Sequence, residues 1–132
     1  MDLTRRSILK ILAFTPLAGQ FYKTSIARPL FNNCMMNRFF IAGFQFYDGP
    51  SIINKLKING ELLLVTENKN IHDKYAVAIY HKKKKIGYVP RTDNRHISRL
   101  LNQEINVACK ITEVNPKHDT WKMVRVEISL VV

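Results

Sequence analysis

Cysteine, glycine and acid are scarce in this chain, and each shortage removes a class of function. The two cysteines, Cys34 and Cys109, are too few for a disulfide framework, a Cys-x-x-Cys motif or a cysteine-based zinc site. Both read as incidental, with Cys109 a small core residue. The five glycines, at 19, 43, 49, 60 and 87, are scattered and form neither GxxxxGK[ST] nor GxGxxG, so no phosphate-cradling loop supports an ATPase. No GxSxG-like elbow presents a nucleophile. The four histidines, His72, His81, His96 and His118, show no HExxH or HxH spacing. His72–Asp73 with Asp48 therefore reads as loop histidine and turn-capping aspartate, and metal-dependent hydrolysis there is the weakest reading. No cofactor is implied.

Basic residues are plentiful. Lys and Arg number 21 against 10 Asp and Glu, a formal charge of +11. Such a field favours nucleic acid, anionic lipid or another polyanion as partner, with plain solubility the alternative explanation. At 132 residues, 46% hydrophobic and 10% aromatic, the chain has the material for the core of one domain.

The front end reads as a separate object. Residues 1–27, MDLTRRSILKILAFTPLAGQFYKTSIA, begin basic, continue apolar from Ile8 to Gly19 and end small. The apolar part is shorter than the ~20 residues of a membrane-spanning helix. Its order matches an export signal, and Arg5–Arg6 within TRRSILK resembles the twin-arginine type. Lys10 inside the apolar run speaks instead for a retained N-terminal tail. An exported location follows from the first reading and a cytoplasmic one from the second. Without residues 1–27 the chain keeps 17 Lys and Arg against 9 Asp and Glu, a charge of +8.

Residues 28–37 (RPLFNNCMMN) lack periodicity and read as a lead-in. From Arg38, RFFIAGFQFY is dense in aromatic and branched residues, as a strand requires, until Asp48-Gly49-Pro50 stops it. Further strands are expected over Glu61–Thr66, Tyr75–Tyr80 and Lys85–Val89, the last two joined by a hairpin with His81-Lys82-Lys83-Lys84 at its tip. Thr92-Asp93-Asn94 supplies N-cap side chains for a helix with Ile97, Leu100 and Leu101 on its apolar face and Gln103 or Glu104 at its end. Ile105–Val114 and Trp121–Val132 alternate as two more strands around an Asn115-Pro116 turn. About six short strands without βαβ alternation specify a mostly β fold, a small antiparallel β-barrel capped by one or two short helices.

Aromatic and basic residues carry the remaining chemical signal. Phe44, Phe46 and Tyr47 cluster beside Gly49, and at least one ring should lie at the barrel mouth. A ring there stacks on bases for ~1–3 kcal/mol each, while lysine and arginine neutralise phosphates. The competing reading puts Phe44 and Phe46 in the core with Tyr47 at the rim. Lys82 to Lys85, then Arg91, Arg95 and Arg99 at four-residue spacing, supply either a phosphate track or a solvated face. Asn70 and Asp73 are open to two readings as well: an Asx-turn entering a strand, or polar groups that bind a strand end. An ionised aspartate accepts from a terminal hydroxyl and repels a continuing phosphate, and a neutral asparagine both donates and accepts.

Taken in order, FFIAGFQFYDG (39–49), ELLLVTEN (61–68), Asn70-x-x-Asp73-x-x-Ala76 with VAIY, IGYVPR (86–91) and the helix ending RLL resemble the HIRAN domain. The resemblance covers residues 38–132. It implies an OB-like barrel that binds single-stranded DNA, in characterised members at a 3′ end, with the terminal base between aromatics and the terminal hydroxyl held by polar side chains. Carried over, the aromatic pair falls on Phe46 and Tyr47, the polar pair on Asn70 and Asp73, and basic support on Arg91. The family's DNA binders have arginine at Gln45, tyrosine at Phe46 and a second stacking tyrosine at His72; these departures weaken tight end capture. Lys84 and Arg95 complete the expected nucleic-acid contacts. The expectation is a non-catalytic nucleic-acid-binding module with single-stranded DNA as partner. The alternative is an exported, envelope-side module that binds a protein or another polyanion.

Overall fold

A computed structural model describes residues 34–131. The export-like segment 1–27 and the first part of the lead-in lie outside the described residues.

Six strands follow in chain order: β1 Cys34–Phe40, β2 Glu61–Thr66, β3 Val77–His81, β4 Lys84–Tyr88, β5 Val107–Val114 and β6 Val124–Leu130. One helix, α1 Arg91–Asn102, lies between β4 and β5. The sheet runs β1-β6-β5-β2-β3-β4, antiparallel at each pairing. β2 passes from one half of the sheet to the other: Glu61 and Leu62 pair with β5, and Leu63 to Thr66 with β3. The fold is mostly β and OB-like, as expected, although no continuous ladder closes it. The two edges meet at one point, where Ala42 and Tyr88 exchange both backbone hydrogen bonds at 2.9 Å. Gly87 makes that approach feasible. It sits at φ 151°, and a Cβ there would overlap the Ile41 side chain and the Ala42 carbonyl.

Alternation places the core. In β6, Val124, Val126 and Ile128 are buried while Arg125 and Glu127 are half-buried between them, the period-2 pattern of a strand with one face inward. Phe39, Ile41, Phe44, Ile79, Ile86, Ile97 and Ile111 complete the centre. Cys109 is buried there too, and its apolar surroundings push the thiol up to about 12, as befits an inert core residue.

Several local boundaries differ from the sequence reading; β5 begins at Val107 rather than Ile105, and Trp121 lies in a short turn before β6. β1 starts at Cys34, ahead of Arg38, because CMMN finds partners along β6 that composition does not reveal. It also ends at Phe40: Gly43 adopts the left-handed conformation at φ 69° and turns the chain into a 3₁₀ turn over Phe44–Phe46. The helix begins at Arg91 behind Pro90 rather than behind a polar cap, and no side chain caps it. Asp93 is instead drawn to β1, where its Oδ1 accepts from Asn37 Nδ2 at 2.9 Å. The helix ends at Asn102, and Glu104 takes a positive φ of 62° just beyond.

Candidate functional site

The turn after β1 separates aromatic rings that the sequence leaves mixed. Phe44 is fully buried, whereas Phe46 is 76% exposed and Tyr47 40% exposed. An exposed phenylalanine forfeits its burial free energy, of the order of 2 kcal/mol, so Phe46 contributes almost nothing to the core. Tyr47 is fixed from behind by an edge-to-face contact with Tyr88, ring centroids 5.6 Å apart.

Both rings border an open cavity of about 540 Å³. Its wall also includes Ala42 and Gly43 from the turn, Asn70, His72, Asp73 and Ala76 from the β2–β3 loop, Tyr88 and Val89 from the end of β4, and Arg91 and Asn94 from α1. Six of the nine residues expected to contact nucleic acid are thus brought together: Phe46, Tyr47, Asn70, His72, Asp73 and Arg91. Gln45 is exposed on the 3₁₀ turn outside the lining. Lys84 faces a separate depression with Ile52, Lys55, His81, Lys82 and Lys83. Arg95 lies one turn beyond Arg91 on α1, against Tyr75.

The loop is held by its own polar residues. Asn70 Oδ1 accepts from the backbone amides of His72, 2.8 Å, and Asp73, 3.1 Å, and its Nδ2 donates to Glu67 Oε1 at 3.1 Å. Asp73 Oδ1 accepts from the Tyr75 amide at 2.9 Å, and Oδ2 accepts from Asn94 Nδ2 at 2.8 Å with Arg91 Nε 3.6 Å away. The Asx-turn reading of these residues therefore holds as geometry. It leaves lone pairs on the Asp73 carboxylate and a second N–H on Asn70 without partners among these bonds. The Tyr75 amide, with Asn94 and Arg91 adding to it against partial burial, holds the Asp73 carboxyl below its ordinary value, so a negative charge sits in the wall at neutral pH. Beside it Arg91 is exposed, donating to the His72 carbonyl at 3.4 Å.

A second polar group lies beneath. Glu67 accepts from Lys85 Nζ at 2.9 Å and from the Tyr88 hydroxyl at 2.8 Å; Lys85 also donates to that hydroxyl at 2.9 Å. Lys85 Nζ stands 5.4 Å from the Tyr47 ring centre and 4.9 Å from that of Tyr88. Burial opposes the charge on Glu67, but these bonds outweigh it and its carboxyl is lowered; the Tyr88 hydroxyl and Glu67 raise the Lys85 ammonium in turn. Sequence reasoning gave no site role to Glu67, Tyr88 or Asn94 and took Lys85 only as one of the hairpin lysines. The available signal for Lys85 was strand alternation, which turns one lysine of the four inward while Lys82 to Lys84 stay exposed.

The family model described as HIRAN domain matches residues 35–132. Among solved structures, a protein from Lactobacillus plantarum superposes with a TM-score of 0.66 at 17% identity, covering 76% of this chain and 98% of that one. The HIRAN domain of human HLTF superposes with a TM-score of 0.57 at 10% identity, covering 74% of this chain and 78% of that one. No curated protein sequence matches the chain.

Proposed function

Because the chain belongs to the HIRAN domain family, a family of DNA-binding modules, we propose that its cavity binds the 3′ end of single-stranded DNA without catalysis. The observation that carries this reading is Phe46, held 76% exposed at the rim of a cavity whose wall holds both a carboxylate, Asp73, and a guanidinium, Arg91. The rings of Phe46 and Tyr47 offer a stacking platform for a terminal base, at ~1–3 kcal/mol per base. Asp73, ionised, accepts from a terminal hydroxyl and repels a phosphate in that place. Arg91 has free N–H groups for the last internucleotide phosphate. His72 stacks with less area than a tyrosine, and Gln45 brings no charge, so the phosphate contacts rest on Arg91 and the general basic field.

Fluorescence anisotropy tests the reading with a labelled single strand carrying a 3′-hydroxyl, the same strand carrying a 3′-phosphate, and a blunt duplex. The hydroxyl-ended strand binds tightest, with the phosphate-ended strand weakened about tenfold or more. Equal affinity for all three overturns end capture.

A further inference from the structure

Arg95 and Arg99 extend the basic side of α1 away from the cavity. Their cationic groups lie 4.9 and 5.7 Å from the centre of the Tyr75 ring, with Lys74 at 5.2 Å, and Arg95 Nη2 stands 3.5 Å from the Tyr75 hydroxyl. Among the described residues, none of these three cations has a carboxylate within 4.0 Å; the ion pairs formed are Arg38–Glu127, Lys85–Glu67, Arg91–Asp73 and Arg125–Glu113. Three positive groups around one phenol repel one another unless an anion joins them. Arg95 and Arg99, by hydrogen bonding that favours the phenolate, lower the Tyr75 hydroxyl to about 8.

The cluster is continuous with the cavity. Asp73 of the cavity wall accepts from the Tyr75 amide, and Arg95 directly follows Asn94, which also lines the wall. Arg91, Arg95 and Arg99 stand one helical turn apart on one face, about 5–6 Å per step, a distance of the order of that between neighbouring phosphates along a single strand.

We propose that Tyr75, Arg95 and Arg99 form a phosphodiester subsite that receives the internucleotide phosphates leading away from the captured strand end. The inference rests on the end-binding reading of the neighbouring cavity. The two guanidiniums pair with phosphate oxygens and the Tyr75 hydroxyl donates to a third. Lys74 adds charge without fixed geometry.

The experiment is anisotropy competition on the full chain with 3′-hydroxyl oligothymidylates of two, four and six nucleotides at two salt concentrations. In the unaltered protein, affinity rises about tenfold or more from the dinucleotide to the hexanucleotide. Arg95→Gln/Arg99→Gln abolishes most of that rise and reduces the salt slope by about 0.7 for each phosphate that is no longer neutralised, while dinucleotide affinity falls far less than hexanucleotide affinity. Both arginines are exposed, and an unchanged melting curve checks that the variant folds. A length dependence that persists in the double variant overturns the subsite. Phe46→Ala separates the two proposals: if it leaves every affinity unchanged while the double variant removes the length dependence, the subsite stands and the stacking pocket falls.

Discussion

Replacing Asp73 by alanine unties the loop that forms one wall of the cavity, and the cost follows from the bonds the carboxylate makes. The Tyr75 amide loses its acceptor, an ordinary local hydrogen bond contributing ~1 kcal/mol. Asn94 is only 4% exposed and its amide would be left without the bond to Oδ2, a penalty of ~1–3 kcal/mol. The Arg91 interaction adds little, because that side chain is 75% exposed and its charge is well solvated. The expected loss is about 2–4 kcal/mol, and a domain of about 100 residues loses roughly 4–8 °C of Tm per kcal/mol. Thermal melts followed by circular dichroism measure it. Asp73→Ala/Asn94→Ala should melt higher than the sum of the two single losses implies, because the orphaned amide is gone. The pH dependence has a defined sign. The Asp73 carboxyl is lowered by folding, so its contribution is complete above the unfolded carboxylate range and is lost as pH falls through the lower folded value. The gap between wild type and Asp73→Ala therefore stays constant near neutrality and narrows only in acid. A loss below about 0.5 kcal/mol, no more than an ordinary surface substitution costs, or additive single and double variants, would refute the view that this residue ties loop to helix.

Other consequences follow from the same geometry. The Tyr75 phenol should ionise with a midpoint of about 8, seen in a difference titration of phenolate absorbance as one component below the other tyrosines; Arg95→Gln/Arg99→Gln should move it back up. Ser98→Ala should raise Tm, since the Ser98 hydroxyl is fully buried with no hydrogen-bond partner and alanine is the better helix former; ~0.5–1 kcal/mol is expected, and a lower Tm would contradict it. Gly87→Ala should destabilise by about 2 kcal/mol or more, from its φ of 151° and the overlap with Ile41 and Ala42. Its amide exchange should speed up first at Ala42 and Tyr88, the point where the sheet edges meet.

Strand identity is readable wherever burial is one-sided. Glu61–Thr66 is found as expected, and β3 and β4 are displaced by only one or two residues, because alternation and Pro90 mark them directly. β1 is harder: RFFIAGFQFY has strand composition throughout, and only the left-handed Gly43 distinguishes its strand half from its turn half. That same turn decides which of Phe44 and Phe46 is buried, so period alone does not assign the aromatic face of the cavity. The gathering of Phe46, Tyr47, Asn70, His72, Asp73 and Arg91 is legible through the HIRAN resemblance rather than through spacing. The underlying Glu67–Lys85–Tyr88 group is not, because it joins β2 to β4 across the sheet and no local pattern pairs a glutamate with a lysine 18 residues on. Gln45, carried over from the family's arginine position, lies outside the lining, Lys84 faces the separate depression, and Arg95 stands against Tyr75 one turn further along α1.

The central claim is that Phe46 is exposed to stack on a strand end. Because the ring is outside the core, Phe46→Ala should leave the melting temperature almost unchanged, which isolates its effect on binding. Anisotropy with a 3′-hydroxyl single strand at ~50 mM salt should show weakening by ~1–3 kcal/mol, about 5- to 150-fold. Unchanged affinity in a variant of unchanged stability would contradict the account.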